Sequence, residues 1–197
     1  AQLAAVMGHE IGHYLQRHSL ARLRDARSRS AAMGVMAFAG GIGLIGQLAL
    51  LAGQAAYSRE HETEADHIGL HLMRSAGYDT TAAARVWGQL RDELTAGAGG
   101  DPAKNSVMFA THPGIEERQR DLQTLAGAGG GFLGQSEYAA RIEPLMPDLI
   151  DDELRRAQYD ESLVLFARLA QRRPTRGDLR YARGEAHRLR GQPADSD

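Results

Sequence analysis

Ala1-Gln2-Leu3-Ala4-Ala5-Val6-Met7-Gly8-His9-Glu10-Ile11-Gly12-His13-Tyr14-Leu15 decides how this chain is read. Leu3, Val6, Met7, Ile11, Tyr14 and Leu15 recur at helical spacing, so residues 1 to about 26 are expected to form one amphipathic helix. Inside it lies a His-Glu-x-x-His pattern. At about 100° per residue, His9 and His13 stand roughly 40° apart around the helix and about 6 Å apart along it. Both imidazoles therefore reach one metal ion. Glu10 falls on the flank of the pair, placed to hold a water rather than the ion. The rival reading is a surface helix that merely carries two histidines, and the helical context weighs against it.

Two histidines leave a catalytic metal short, because such sites usually take three protein ligands and a water. The candidates for the third sit in Glu60-His61-Glu62-Thr63-Glu64-Ala65-Asp66. Glu62 and Asp66 are four apart and share a helix face. Ala65 and Gly69 lie near that face, and small residues there let this helix press against the first one. Gly8 and Gly12 supply the other half of such a contact, since interior helical glycine costs about 1 kcal/mol relative to Ala and calls for a packing reason. Glu62 is expected as the third ligand and Asp66 as the carboxylate that orients a ligating His. Glu64 is the alternative ligand, and a plain solvated acidic face is the bland reading. His18, half a turn round a continuous helix from His9, is expected to stay out of the site. His61 is expected to point elsewhere, and His67 and His71 to lie at the surface or in packing.

Composition bounds the rest. The 197 residues are 43% hydrophobic and 24% charged, with a net charge of −2, ordinary values for a globular chain with no electrostatic footprint for nucleic acid. Cys is absent, so disulfides, thiolate metal sites and a cysteine nucleophile are excluded together. Further helices are expected over Glu60 to about Ala76, closed by Gly77, over Thr80 to about Leu94, over about 114–125, and from Ser136 onward. Gly-rich breaks fall at Gly97-Ala98-Gly99-Gly100-Asp101-Pro102 and Gly127-Ala128-Gly129-Gly130-Gly131. No stretch alternates over enough β-branched residues for a strand, and the fold class is mainly α. The chain begins in helical stride without Met or an N-cap, which reads as a cut from a longer precursor.

His-Glu-x-x-His followed by Glu62-Thr63-Glu64-Ala65-Asp66-His67-Ile68-Gly69 resembles the gluzincin zinc metallopeptidases related to HtpX, BepA and the CAAX prenyl endopeptidases. Thr111-His112-Pro113, with Arg118 five residues beyond the Pro, is similar to a further signature of that family. The resemblance covers roughly residues 1–125. It implies a zincin-type helical core, one Zn2+ per chain on His9, His13 and Glu62, and Asp66 and Arg118 in support. For His112 it implies either a contact to the oxyanion in the transition state or occupation of the open metal position; the sequence does not choose. Relatives usually carry more chain before the His-Glu-x-x-His helix, including strands that bind substrate, and that part is absent here.

Ser30–Ser58 runs for 29 residues without a charged side chain. One membrane crossing would put Glu62 on the opposite side from His9 and His13, so the stretch is expected to be a helical hairpin inserted into the core. It would bend near Gly40-Gly41-Ile42-Gly43 and pack over the site or make a peripheral membrane contact. Relatives without membrane spans place such an insertion in this interval. Toward the end, Tyr159, Ser162, Phe166, Leu169 and Pro174 match the second helix of a tetratricopeptide repeat, and Gly184 and Gly191 the first helix of a following one. The rival is a plain helical hairpin. The expected division is a metallopeptidase domain over 1–135 and an incomplete tetratricopeptide-like segment over 136–197.

The expected function is zinc-dependent endopeptidase. Zinc acidifies water and polarises the scissile carbonyl, while Glu10 takes the proton and passes it to the leaving amine. By resemblance, the substrates are misfolded or misassembled envelope proteins, the location is a bacterial periplasm or cell envelope, and the C-terminal helices bind protein partners. The alternative is a protein-binding or chaperone module whose zinc is structural or self-blocked.

Overall fold

The computed structural model describes the backbone of residues 1–36, 40–97, 112 and 114–191; the side chains at 29, 31, 33–36 and 40–57 lie outside that description. In chain order the helices are α1 (Gln2–Leu15), α2 (His18–Met36), α3 (Gly40–Ser75), α4 (Thr81–Gly97), α5 (Ile115–Ala126), α6 (Gln135–Ile142), α7 (Met146–Arg155), α8 (Tyr159–Arg172) and α9 (Gly177–Leu189), with a 3₁₀ turn at Glu143–Leu145. Among the described residues there is no strand, only an isolated bridge between Tyr78 and Phe132. The fold is mainly α, as the absence of alternating β-branched runs requires. Two compact units form, Ala1–Val86 with Thr111–Leu133 and Trp87–Ala110 with Gly134–Asp197.

The first unit is organised by the contact of α1 with α3, its most extensive helix pairing. A Cβ on Gly8 would stand 3.1 Å from Gly69 Cα, and one on Gly12 would stand 2.9 Å from Ala65 Cα. The two backbones touch, so the glycines are fixed by packing. This contact also corrects the expected amphipathicity of α1. Its buried face is Ala5, Gly8, His9, Gly12 and His13. The large apolar residues Leu3, Met7, Ile11, Tyr14 and Leu15, which set the helical period, are exposed.

Three boundaries differ from expectation. The helix expected over residues 1–26 breaks after Leu15: Arg17 adopts φ 55°, rare for a residue with a side chain, and α2 restarts at His18. No Gly or Pro marks this break. The helix expected from Glu60 is the C-terminal part of α3, which begins at Gly40. Scattered glycines at roughly 1 kcal/mol each do not stop a helix held by packing. Gly40-Gly41-Ile42-Gly43 are therefore helical, and the bend expected there is not found at these residues; residues 37–39 are outside the described set. The helices α2 and α3 are in contact with each other. Among the described residues no helix is long and apolar enough to cross a membrane.

At the far end of α3, Gly77 takes φ 76° and closes the helix. There Phe132 N donates to Gly77 O, Asp79 N to Phe132 O, and Thr80 Oγ1 to Ala126 O, which fastens the end of α5. Helix α5 buries Ile115, Arg118, Leu122 and Ala126, an i, i+3, i+7, i+11 stripe that turns Arg118 inward toward α3.

In the second unit, Met146, Ile150, Phe166, Leu179, Ala182 and Ala186 form the core of α7, α8 and α9. The last two helices pack against each other and are joined by residues 173–176, with Ser162 and Phe166 fully buried. Arg168 pairs with Glu93 of the C-terminal part of α4.

Candidate metal centre

His9 and His13 project from α1 at the level where Gly8 and Gly12 let α3 approach, and Glu62 projects from α3 into the same space. His9 Nε2 and His13 Nε2 are 3.1 Å apart. Glu62 Oε2 is 3.3 Å from His9 Nε2, and Glu62 Oε1 is 3.4 Å from His13 Nε2. His112 adds a fourth donor, its Nδ1 2.7 Å from Glu62 Oε2 and 3.4 Å from His9 Nε2. One ligand atom from each of His9, His13, Glu62 and His112 lies within 4.8 Å of every other, an arrangement able to hold a metal ion. Glu10 stands beside this group rather than in it, half-exposed, with Oε1 3.9 Å from His112 Nε2.

The protons around the site explain why its centre favours positive charge. His9 Nδ1 is 2.9 Å from Asp66 Oδ1. A carboxylate only accepts, so a neutral His9 carries its proton on Nδ1 and turns an accepting Nε2 toward His13 and Glu62. Lone pairs facing one another across 3 to 3.5 Å repel unless positive charge sits among them. Burial opposes protonation of His9, but the hydrogen bonds that the protonated ring makes to Asp66 and Glu62 outweigh burial and hold its pKa above the ordinary value. Burial likewise pushes Glu62 up, yet hydrogen bonds from His112, His13 and His9 when those rings carry a proton toward it, and the charge of Arg118, hold it well below the usual carboxylate range. A metal ion or a proton satisfies the same demand.

Asp66 and Arg118 form the support. Arg118 Nε donates to Asp66 Oδ2 at 2.7 Å and Nη2 to Asp66 Oδ1 at 2.8 Å, a bidentate fork. Its Nη1 lies 3.0 Å from Glu62 Oε2. Asp66 is also held below its ordinary pKa, burial being outweighed by Arg118 and His9. Glu64, the alternative ligand, points away from the four-donor group to His18. His67 and His71 are exposed.

Three residues near the site escaped the sequence reading. Arg22 Nη2 donates to Glu62 Oε1 at 2.7 Å. His18, expected on the far side of a continuous helix, instead has Nδ1 2.8 Å from His13 Nδ1, because the turn at Arg17 brings it back over α1. His61 stacks on His18 with ring centroids 4.0 Å apart and 15° between planes. Burial lowers the pKa of both rings. The one available signal was that His18 and Arg22 share a face at i, i+4; it stays hidden while α1 and α2 are read as one helix.

A helical pair bearing His-Glu-x-x-His, a carboxylate from the packed helix and a buried Arg in support defines the class of metal-dependent peptidases with this motif. Residues 1–126 match peptidase family M48, and the chain belongs to that family. The Escherichia coli K12 beta-barrel assembly-enhancing protease is 30% identical over 196 residues, covering 83% of this chain and 39% of that protein. The mitochondrial metalloendopeptidase OMA1 of Schizosaccharomyces pombe is 37% identical over 128 residues, 61% of this chain and 35% of its own. Metalloprotease YcaL of Escherichia coli K12 is 28% identical over 134 residues, 65% of this chain and 50% of its own. The chain thus spans half or less of the length of each of these relatives. No solved structure gives a significant match.

Proposed function

We propose that the chain is the metallopeptidase part of a zinc-dependent endopeptidase, with His9, His13 and Glu62 as metal ligands and Glu10 as general base. The convergence of two Nε2 lone pairs and a buried carboxylate is the observation that carries this reading. Around a tetrahedral zinc with bonds of about 2.0–2.1 Å, ligand atoms stand about 3.3 Å apart. The separations of 3.1, 3.3 and 3.4 Å fit that ion. Bound there, zinc supplies Lewis-acid polarisation of a peptide carbonyl and acidifies water. Glu10 accepts the proton of the attacking water and returns it to the leaving amine. Asp66 holds the His9 Nδ1 proton, and Arg118 holds Asp66 and balances the charge of Glu62. The first 135 residues act as the peptidase domain; the helices from 136 onward are a tetratricopeptide-like segment that engages protein partners. The likeness to a beta-barrel assembly-enhancing protease supports an envelope location with misassembled envelope proteins as substrates.

The first test is zinc per chain by elemental analysis. About one ion on the wild type, lost or much weakened in Glu62→Ala, is the expected result. An unchanged zinc content in the variant would remove Glu62 from the ligand set.

A second reading, in which the site is held shut, is favoured by one observation: His112 completes a four-donor group, and four protein donors characterise closed sites. The variant His112→Ala separates the two by sign. If His112 occupies the substrate's position, peptidase rate rises; if it serves the transition state, the rate falls by about the 10²–10³-fold typical of one lost oxyanion donor.

A further inference from the structure

Behind the proposed ligand His13, a second line of polar groups runs toward the surface. His13 Nδ1 meets His18 Nδ1 at 2.8 Å, and His18 Nε2 meets Glu64 Oε2 at 3.1 Å. His18 is 2% exposed and His61 lies stacked on its face, so the ring is held in one orientation. Counting protons outward-in fixes every role. Glu64 only accepts, so the His18 proton sits on Nε2 and its Nδ1 is a lone pair. That lone pair requires a donor, so the His13 proton sits on Nδ1. His13 Nε2 is then a lone pair, and it is this atom that faces His9 and Glu62.

We infer that His18 and Glu64 are positioning residues for the metal: a two-step hydrogen-bond relay that fixes the tautomer and orientation of His13. The inference rests on the zinc-site reading above. His9 is served directly by Asp66 on α3; His13, one turn further along α1, has its orienting carboxylate on the outer side of α3 and reaches it through an intervening imidazole. The left-handed turn at Arg17 is what places that imidazole, so the interruption between α1 and α2 has a function at the site.

Removing the partner of a ligating His typically costs about 10–100-fold in metal affinity. Zinc affinity is measured by chelator competition on the full chain. The wild type is expected to bind one zinc, and His18→Leu to bind it about 10–100-fold more weakly. His18→Asn, whose Oδ1 takes the place of Nδ1 and accepts from His13, is expected to recover most of the loss. The side chain of Glu64 is 49% exposed, so Glu64→Ala leaves the fold intact and provides the test should His18→Leu fail to fold; a smaller loss in the same direction is expected. Two-bond proton–nitrogen correlations on the zinc-free protein at mildly alkaline pH give the second readout: His13 protonated on Nδ1 in the wild type, and a mixture of tautomers in His18→Leu. Zinc binding by the wild type with equal affinity in His18→Leu and Glu64→Ala would overturn the relay and leave the ligand set standing. No zinc on the wild type would overturn both.

Discussion

Glu10→Gln is expected to keep its zinc and lose turnover by on the order of 10²–10⁴-fold, the contribution of a positioned general base. The two halves of that result follow from different parts of the site. Zinc is retained because the ligand atoms belong to His9, His13 and Glu62, and Glu10 stands outside the converging group. Turnover falls because the amide of Gln occupies the same volume but accepts no proton at neutral pH. Glu10 lies on the open side of the cluster, with 53% of its side chain exposed, so the substitution leaves no buried group unpaired and the fold is unaffected. The measurement is kcat/KM on an unfolded protein substrate alongside zinc per chain. Unchanged turnover would sink the assignment of the base; loss of zinc would make Glu10 a ligand.

The second large effect is on stability. Arg118 is 3% exposed and faces two buried carboxylates, Asp66 in a bidentate fork and Glu62 at 3.0 Å. Removing one partner of a buried ion pair typically costs about 3–5 kcal/mol, because the charge left behind has neither water nor a counter-ion. Arg118→Ala is therefore expected to lose about that much against urea in the zinc-free protein. With zinc bound the loss is smaller, since the ion neutralises Glu62 and leaves only Asp66 exposed to the defect. The pH dependence has a definite sign. Both carboxyls are held below their ordinary pKa in the folded chain, so their contribution is full above the unfolded value near 4 and is lost as pH falls through the lower folded values. The gap between wild type and variant should narrow in acid. A gap that is the same with and without zinc would show that Arg118 acts by filling space.

Much of this site was legible because its chemistry is local in sequence. His9, Glu10 and His13 lie within two turns of α1, and Glu62, Ala65, Asp66 and Gly69 within three turns of α3, so helical geometry alone brings each set to one face. The small residues showed how those faces meet. What stayed hidden depended on tertiary overrides. The apolar period of α1 pointed to Leu3, Met7 and Ile11 as its buried side, whereas the packed side is made of glycines and histidines, which hydropathy does not weigh as core. The break at Arg17 has no Gly or Pro to announce it, and with it went His18, Arg22 and the link to Glu64. The long α3 was read as a hairpin arm plus a separate helix because its glycines look like stops; packing overrides propensity there. Residues 37–39 and most of the Thr111-His112-Pro113 motif lie outside the described residues.

The bare contact between α1 and α3 also bears on which mutations this chain can accept. A glycine codon changed at a single base, unless it becomes a stop, encodes Ala, Val, Ser, Cys, Arg, Trp, Asp or Glu, and every one of these brings a Cβ. At Gly8, Gly12 and Gly69 that first carbon would meet opposing backbone at 2.9–3.1 Å, where nothing flexible can give way. At these three positions, then, no one-step missense change is small enough to leave the helices where they are. Drift in this part of the gene has to pass through synonymous third bases, or through a compensating change elsewhere that has already moved the two helices apart and, with them, the metal ligands.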